Sequence, residues 1–101
     1  MIEVRQTETY ARWFNRLSDK KAQARINTRI RRLSLGNPGD VKPLGGGVSE
    51  LRIDYGPATG YILFSTAKNK ELTILLAGGD KNTQERDIEK AIKLAGMLQE
   101  G

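Results

Sequence analysis

The sequence predicts an α+β domain in the order β-α-α-β-β-β-α, and three patterns carry that reading. "MIEVRQT" and "VSELRIDYG" alternate apolar with polar residues, the period of half-buried strands. Between them, Tyr10, Trp13, Phe14 and Leu17 recur at i, i+3, i+4 and i+7, which is one face of a helix. "ELTILLA" is nearly all apolar, the composition of a central strand covered on both faces.

Taken in order, Ile2 and Val4 set the core side of the first strand, against Glu3 and Arg5. Thr7 or Thr9 caps the first helix. Ser18 reads as the N-cap of a second helix, with Asp19 in the first turn where a carboxylate suits the positive helix end. Ala22, Ile26, Ile30 and Leu33 form its apolar stripe, Gly36 is the C′ residue, and "GNPG" stops it. The loop between the helices is short, so they are expected to lie back to back as a hairpin.

Pro43-Leu44-Gly45-Gly46-Gly47 reads as a flexible lead-in to the next strand. There Leu51, Ile53 and Tyr55 face the core and Glu50, Arg52 and Asp54 face out. "GPATG", Gly56 to Gly60, is a turn, "YILFSTA" a strand, and Asn69-Lys70 a second hairpin turn. After "ELTILLA", Asn82 or Thr83 caps a last helix whose buried stripe is Ile88, Ala91, Ile92, Ala95 and Leu98. The expectation is one domain over residues 1–101, a small antiparallel-rich sheet of about four strands covered by the helices. Local pattern does not say how the first strand joins the sheet.

Composition removes several kinds of chemistry. There is no Cys and no His, hence no disulfide, no thiolate or imidazole metal site, and no Ser-His-Asp triad. Catalysis would fall to Lys, Arg, Tyr, Asp or Glu. No apolar run approaches the ~20 residues of a spanning helix. The first residues lack the basic-then-apolar pattern of a secretory signal. With Cys absent, the expected compartment is the cytoplasm, away from membranes. The net charge of +5 favours polyanionic partners. It is concentrated: Arg12 to Arg32 holds eight Lys/Arg against one acid, Asp19.

"LLAGGDK" raises its own question. Gly78-Gly79 serves a tight strand-to-helix turn, or it clears space for Lys81 and nearby N–H groups to meet an anion at a helix N-terminus. It is not a Walker loop, because the spacing and the Ser/Thr after the Lys are missing. Arg52 has two readings, a surface ion pair with Glu50 or Asp54 and a guanidinium for bidentate phosphate binding. Lys42 is either a solvated lysine or an RNA contact and proton acceptor, which requires a lowered pKa. Tyr55 is a base-stacking candidate where exposed. Arg25 and Arg29 belong to the basic patch, which is either a solvated helix face or a nucleic-acid surface.

Two stretches, "KPLGGGVSELRIDYGP" (Lys42 to Pro57) and "LLAGGDKNTQERDIEKA" (Leu75 to Ala91), give the whole chain a family likeness. It resembles the RelE/ParE superfamily of bacterial toxins, and within it the HigB-like addiction module killer proteins. That resemblance implies a RelE-like fold and a toxin of a type II toxin–antitoxin module. It further implies a metal- and cofactor-independent endoribonuclease that cuts mRNA on the ribosome, inhibits translation, and is neutralised by a cognate antitoxin protein. On the matching positions, Arg52, Lys81 and Lys42 would be catalytic, with Arg52, Lys81, Tyr55, Arg25 and Arg29 contacting RNA.

One position departs from the pattern. Where relatives read Gly-Tyr-Arg, this chain reads Gly60-Tyr61-Ile62, after a two-residue insertion at Ala58-Thr59. The apolar side chain removes a charge-assisted phosphate contact. Two further readings follow: a toxin-fold protein that binds antitoxin without cleaving, and a ParE-like gyrase inhibitor. The geometric expectation is that Arg52, Lys81 and position 62 rim one shallow positive concavity, with a gap in its charge at Ile62.

Overall fold

The computed structural model describes residues 1–55 and 60–100, so the predicted turn Gly56 to Gly60, with the Ala58-Thr59 insertion, lies outside the described residues except for Gly60, which opens the next strand. The elements are β1 (Glu3–Gln6), α1 (Glu8–Arg16), α2 (Lys20–Ser34), β2 (Val41–Gly45), β3 (Val48–Asp54), β4 (Gly60–Asn69), β5 (Leu72–Asp80) and α3 (Gln84–Glu100). They form an α+β fold around one mixed sheet in the order β1-β5-β4-β3-β2. No helix among the described residues is long and apolar enough to cross a membrane.

Local chemistry accounts for most of the boundaries. The Thr7 hydroxyl accepts the Tyr10 N–H and starts α1. Asp19, not Ser18, caps α2: its Oδ1 accepts the N–H groups of Lys21 and Ala22, so the helix begins one residue later than expected. Gly36, at φ +87°, takes the left-handed position that ends α2, and its N–H reaches Leu33 O.

One expectation about the sheet needs correction, and one open point is answered. The stretch read as a flexible lead-in is a fifth strand: β2 pairs antiparallel with β3, with Lys42 opposite Glu50 and Pro43 opposite Ser49. A proline is tolerated there because β2 is an edge strand with one side unpaired. Gly45, Gly46 and Gly47, all at positive φ, make the hairpin turn. The first strand joins at the other edge, running parallel to β5 with Glu3 opposite Leu72 and Gln6 opposite Leu75.

The helices divide between the two faces. Tyr10 of α1 and Ile26 and Leu33 of α2 bury Leu51, Ile53, Leu63 and Leu75 on one face. On the other, Ala91 and Ala95 let α3 sit close over Val48, Ile62, Phe64 and Leu76. The buried stripe of α3 passes through Leu94 in place of Ile92, whose side is exposed. Nor do α1 and α2 lie back to back. Their backbones pack on the sheet, α1 on β5 and α2 on β1 and β3, and Gln23 bridges them by donating to Phe14 O and Leu17 O.

Tyr10 leaves a testable mark on stability. It is the largest fully buried side chain, and its hydroxyl has no hydrogen-bond partner among the described residues. Stranding a buried hydroxyl costs about 1–3 kcal/mol, so Tyr10→Phe should stabilise the protein by about 1 kcal/mol. Burial also holds the Tyr10 phenol well above its ordinary pKa. A raised folded-state pKa gives stability that is present below the unfolded value of about 10 and lost as pH rises above it. Melting at pH 8 and pH 11 should therefore show Tyr10→Phe gaining more over the parent at the higher pH.

Candidate functional site

Strand register decides which charged side chains share a face. Cross-strand partners point to the same side of a sheet, and residues two apart along a strand do as well. Lys42 is opposite Glu50, Arg52 is opposite Ile62, and Ile62 is opposite Gly79. Ile62 belongs to the core beneath α3, so Lys42, Glu50 and Arg52 all lie on the α3 face. Lys81 follows the last residue of β5, and its side chain crosses Gly60: a Cβ placed there would stand 3.4 Å from Lys81 Cε. Gly60 has the parity of Ile62 and Phe64, so Lys81 reaches the same face. Lys42, Arg52 and Lys81 thus lie on one face at one end of the sheet, with Arg52 and Lys81 lining separate recesses.

Arg52 is anchored in a way its sequence position does not suggest. Its Nε donates to Glu50 Oε1 at 3.0 Å, and Gln84 Nε2 of α3 donates to Glu50 Oε2 at 3.0 Å. The ion pair is not a surface one, because Glu50 is fully buried while the Arg52 side chain is 47% exposed. A buried carboxylate requires such partners. Arg52 is held at Nε, and its two Nη nitrogens have no acceptor among the described residues. That leaves the guanidinium fork for a phosphate or carboxylate. The sequence offers Glu50 as a surface partner of Arg52, and the structure keeps the pair but buries its carboxylate; Gln84 is not legible in the sequence as a partner of either. Glu50 occupies a polar position of an alternating strand, and only the start of α3, 34 residues further on, covers it.

Ile62 does not line a concavity. It is 2% exposed and packs with Val48, Phe64, Leu76 and Ala91, so the expected gap in the charged rim is replaced by core.

The remaining predicted contacts lie elsewhere. Tyr55 has the parity of Leu51 and Ile53 and turns to the α1/α2 face. Its hydroxyl donates to Asp19 Oδ2 at 2.8 Å, and the Arg25 guanidinium carbon sits 5.8 Å from its ring centre. The same hydrogen bond draws the Asp19 carboxyl below its ordinary pKa and raises that of Tyr55. The ring is occupied within the fold, apart from Arg52 and Lys81. Arg29 donates to Pro38 O (2.8 Å), Arg52 O (2.6 Å) and Asp40 O (2.7 Å), while Arg25 donates to Asp54 O (3.2 Å). Burial lowers the Arg29 pKa. These arginines close the edge of β3 where β2 stops. They share with Arg52 and Arg32 a groove of about 540 Å³, whereas Lys81 lines a separate recess with the first turn of α3.

The two glycines before Lys81 are not a turn. β5 runs through both to Asp80. A Cβ on Gly78 would stand 2.2 Å from the Trp13 ring of α1, and one on Gly79 would stand 1.8 Å from Asp87 Oδ2 of α3. Each glycine admits a helix side chain, on opposite faces. The turn comes next: Asp80 Oδ1 accepts the N–H groups of Asn82 and Thr83, and this Asx turn delivers Lys81. Among the described residues no group of His, Cys, Asp and Glu side chains is placed to hold a metal ion.

The sequence profile of the family described as "Phage derived protein Gp49-like (DUF891)" matches residues 12–98. An uncharacterized protein of Haemophilus influenzae (strain ATCC 51907 / DSM 11121 / KW20 / Rd) is 46% identical over 97 residues, which is 96% of this chain and 96% of that protein. The profile runs from within α1 to near the end of α3 and so includes every residue of the candidate site.

Proposed function

The chain belongs to the Gp49-like family of phage-derived proteins, a RelE/toxin-like family associated with toxin–antitoxin modules, and from that premise we propose that it is a HigB-like toxin that cuts messenger RNA on the ribosome. The observation that carries the reading is the common face of Lys42, Arg52 and Lys81, three cations at one end of the sheet. In this reading the Arg52 fork grips the scissile phosphate. Lys42, acting as the neutral amine, takes the proton of the 2′-OH as its oxygen attacks the adjacent phosphorus. The bond from phosphorus to the 5′-oxygen breaks, and Lys81 stabilises the charge that gathers on that oxygen. The products are a 2′,3′-cyclic phosphate and a 5′-hydroxyl end, the latter after protonation. A cognate antitoxin is the protein partner.

In a purified translation system the protein should cut messages within ribosome-bound codons, read by primer extension. Intact messages at saturating protein would sink the nuclease reading. The buried Ile62 specifically favours the second reading, a toxin-fold protein that binds antitoxin without cleaving. DNA damage without message cleavage would point to the gyrase-directed alternative.

A further inference from the structure

Arg52 and Lys81 share a face yet line different recesses, Arg52 beside Arg29 and Arg32, Lys81 beside Gln84 and Arg86. A chain of side chains joins the two. Gln84 lines the Lys81 recess, and its Nε2 donates to Glu50 Oε2. The Nε of Arg52 donates to Glu50 Oε1. One carboxylate therefore holds a residue of each recess, one on each oxygen.

Both ends of this chain are fixed. Glu50 is fully buried, with the fully buried Phe64 opposite it on β4, and among the described residues Arg52 and Gln84 are its only side-chain partners. Gln84 is the first residue of α3, and the turn that delivers Lys81 also sets its place. There Asp80 Oδ1 accepts the Asn82 and Thr83 N–H groups, and the Thr83 hydroxyl donates to the buried Asp87, which lies against Gly79. The turn and the start of α3 thus form one unit, which carries Lys81 directly and reaches Arg52 through two hydrogen bonds. A buried ion pair is a weak source of stability, and a well-packed apolar residue in place of Glu50 would serve the core as well. An apolar residue would not fix the guanidinium, whose two Nη nitrogens have no other partner among the described residues.

We propose that Gln84 is a positioning residue: through Glu50 it aims the Arg52 guanidinium relative to Lys81, so that the two recesses receive neighbouring phosphates of one RNA strand. The identity of the ligand rests on the nuclease reading; the coupling of the two recesses does not. Loss of the Gln84 donor leaves both cations in place and lets the guanidinium turn. RNA affinity, which follows the number of charges, changes little, whereas a misplaced phosphate grip slows the chemical step.

Gln84→Met keeps the length and helix propensity of the side chain and removes the donor. It should lower single-turnover message cleavage by about tenfold or more. Affinity for a message with a 2′-deoxy sugar at the cut site should stay within about twofold of the parent. In an Arg52→Ala background the same change should lower cleavage no further, because its route is gone. A second readout needs no cleavage. The Arg52 Nε–H resonance, assigned by its loss in Arg52→Lys, should shift and exchange faster with water in Gln84→Met. Gln84→Glu, which sets a second carboxylate beside Glu50, should disturb it more. A Gln84→Met protein that melts earlier yet cleaves like the parent, a further loss of cleavage in the Arg52→Ala background, or an unmoved Arg52 resonance would each overturn the proposal. If the parent itself does not cleave, the nuclease reading falls, and the resonance alone decides whether Gln84 positions Arg52.

Discussion

Gly78→Ala is expected to destabilise the protein by about 2–3 kcal/mol, the cost of forcing a methyl group into a filled interior. Three Trp13 ring atoms lie within 2.6 Å of where that methyl would stand. The indole cannot yield by a small torsion, since it also packs against Tyr10 at 5.7 Å and Tyr61 at 6.2 Å between ring centres. At about 4–8 °C per kcal/mol for a chain of this size, the melting temperature should drop by roughly 10–20 °C. The same change in a Trp13→Ala background should be neutral or slightly stabilising. With the ring gone, alanine fits, and it loses less backbone entropy in a strand than glycine does. That reversal of sign is the informative result of the cycle. A Gly78→Ala protein that melts with the parent would show that the indole does not dictate the glycine.

The glycine pair also shows where sequence reading stops. "LLAGGDK" was legible as a strand leading to a helix, and Asp80 and Thr83 were visible as turn chemistry. The reason for each glycine lies on other elements, at Trp13 and Asp87, and nothing local to the motif reveals it. The same holds for the sheet. Alternation in β3 and the apolar run of β5 were plain. β2 was masked because Pro43 and three glycines read as loop, although an edge strand accepts the proline and a hairpin needs the glycines. β1 is four residues long, too short for its pattern to name a partner, and its parallel pairing follows from α1 carrying the chain away across β5. For the site, parity placed Arg52 and position 62 on one face. The burial of Glu50 and Ile62 came from α3 settling over that end of the sheet, a long-range packing event.

Arg52 and Lys81 should separate the two things a cation can do at this face. Lys81 is exposed, so Lys81→Ala should leave stability within about 0.5 kcal/mol of the parent. If the nuclease reading holds, it should lower single-turnover message cleavage by about 10²–10³-fold, the usual effect of removing one group that stabilises transition-state charge. It should also flatten the dependence of RNA affinity on salt by about one unit. Arg52→Ala should lose as much cleavage but also melt earlier, because it leaves the buried Glu50 carboxylate with only Gln84. Breaking a fully buried pair costs about 3–5 kcal/mol, and the half-exposed arginine brings the expectation down to about 2–3 kcal/mol. The double change Glu50→Gln with Arg52→Met removes both charges, keeps a side-chain amide for Gln84, and should recover most of that stability while cleavage stays lost. Arg52→Lys keeps the charge without the fork and should cleave nearly as poorly as Arg52→Ala. Cleavage that returns with stability in the double variant would show that Arg52 acts only by holding Glu50, and that the phosphate is gripped elsewhere.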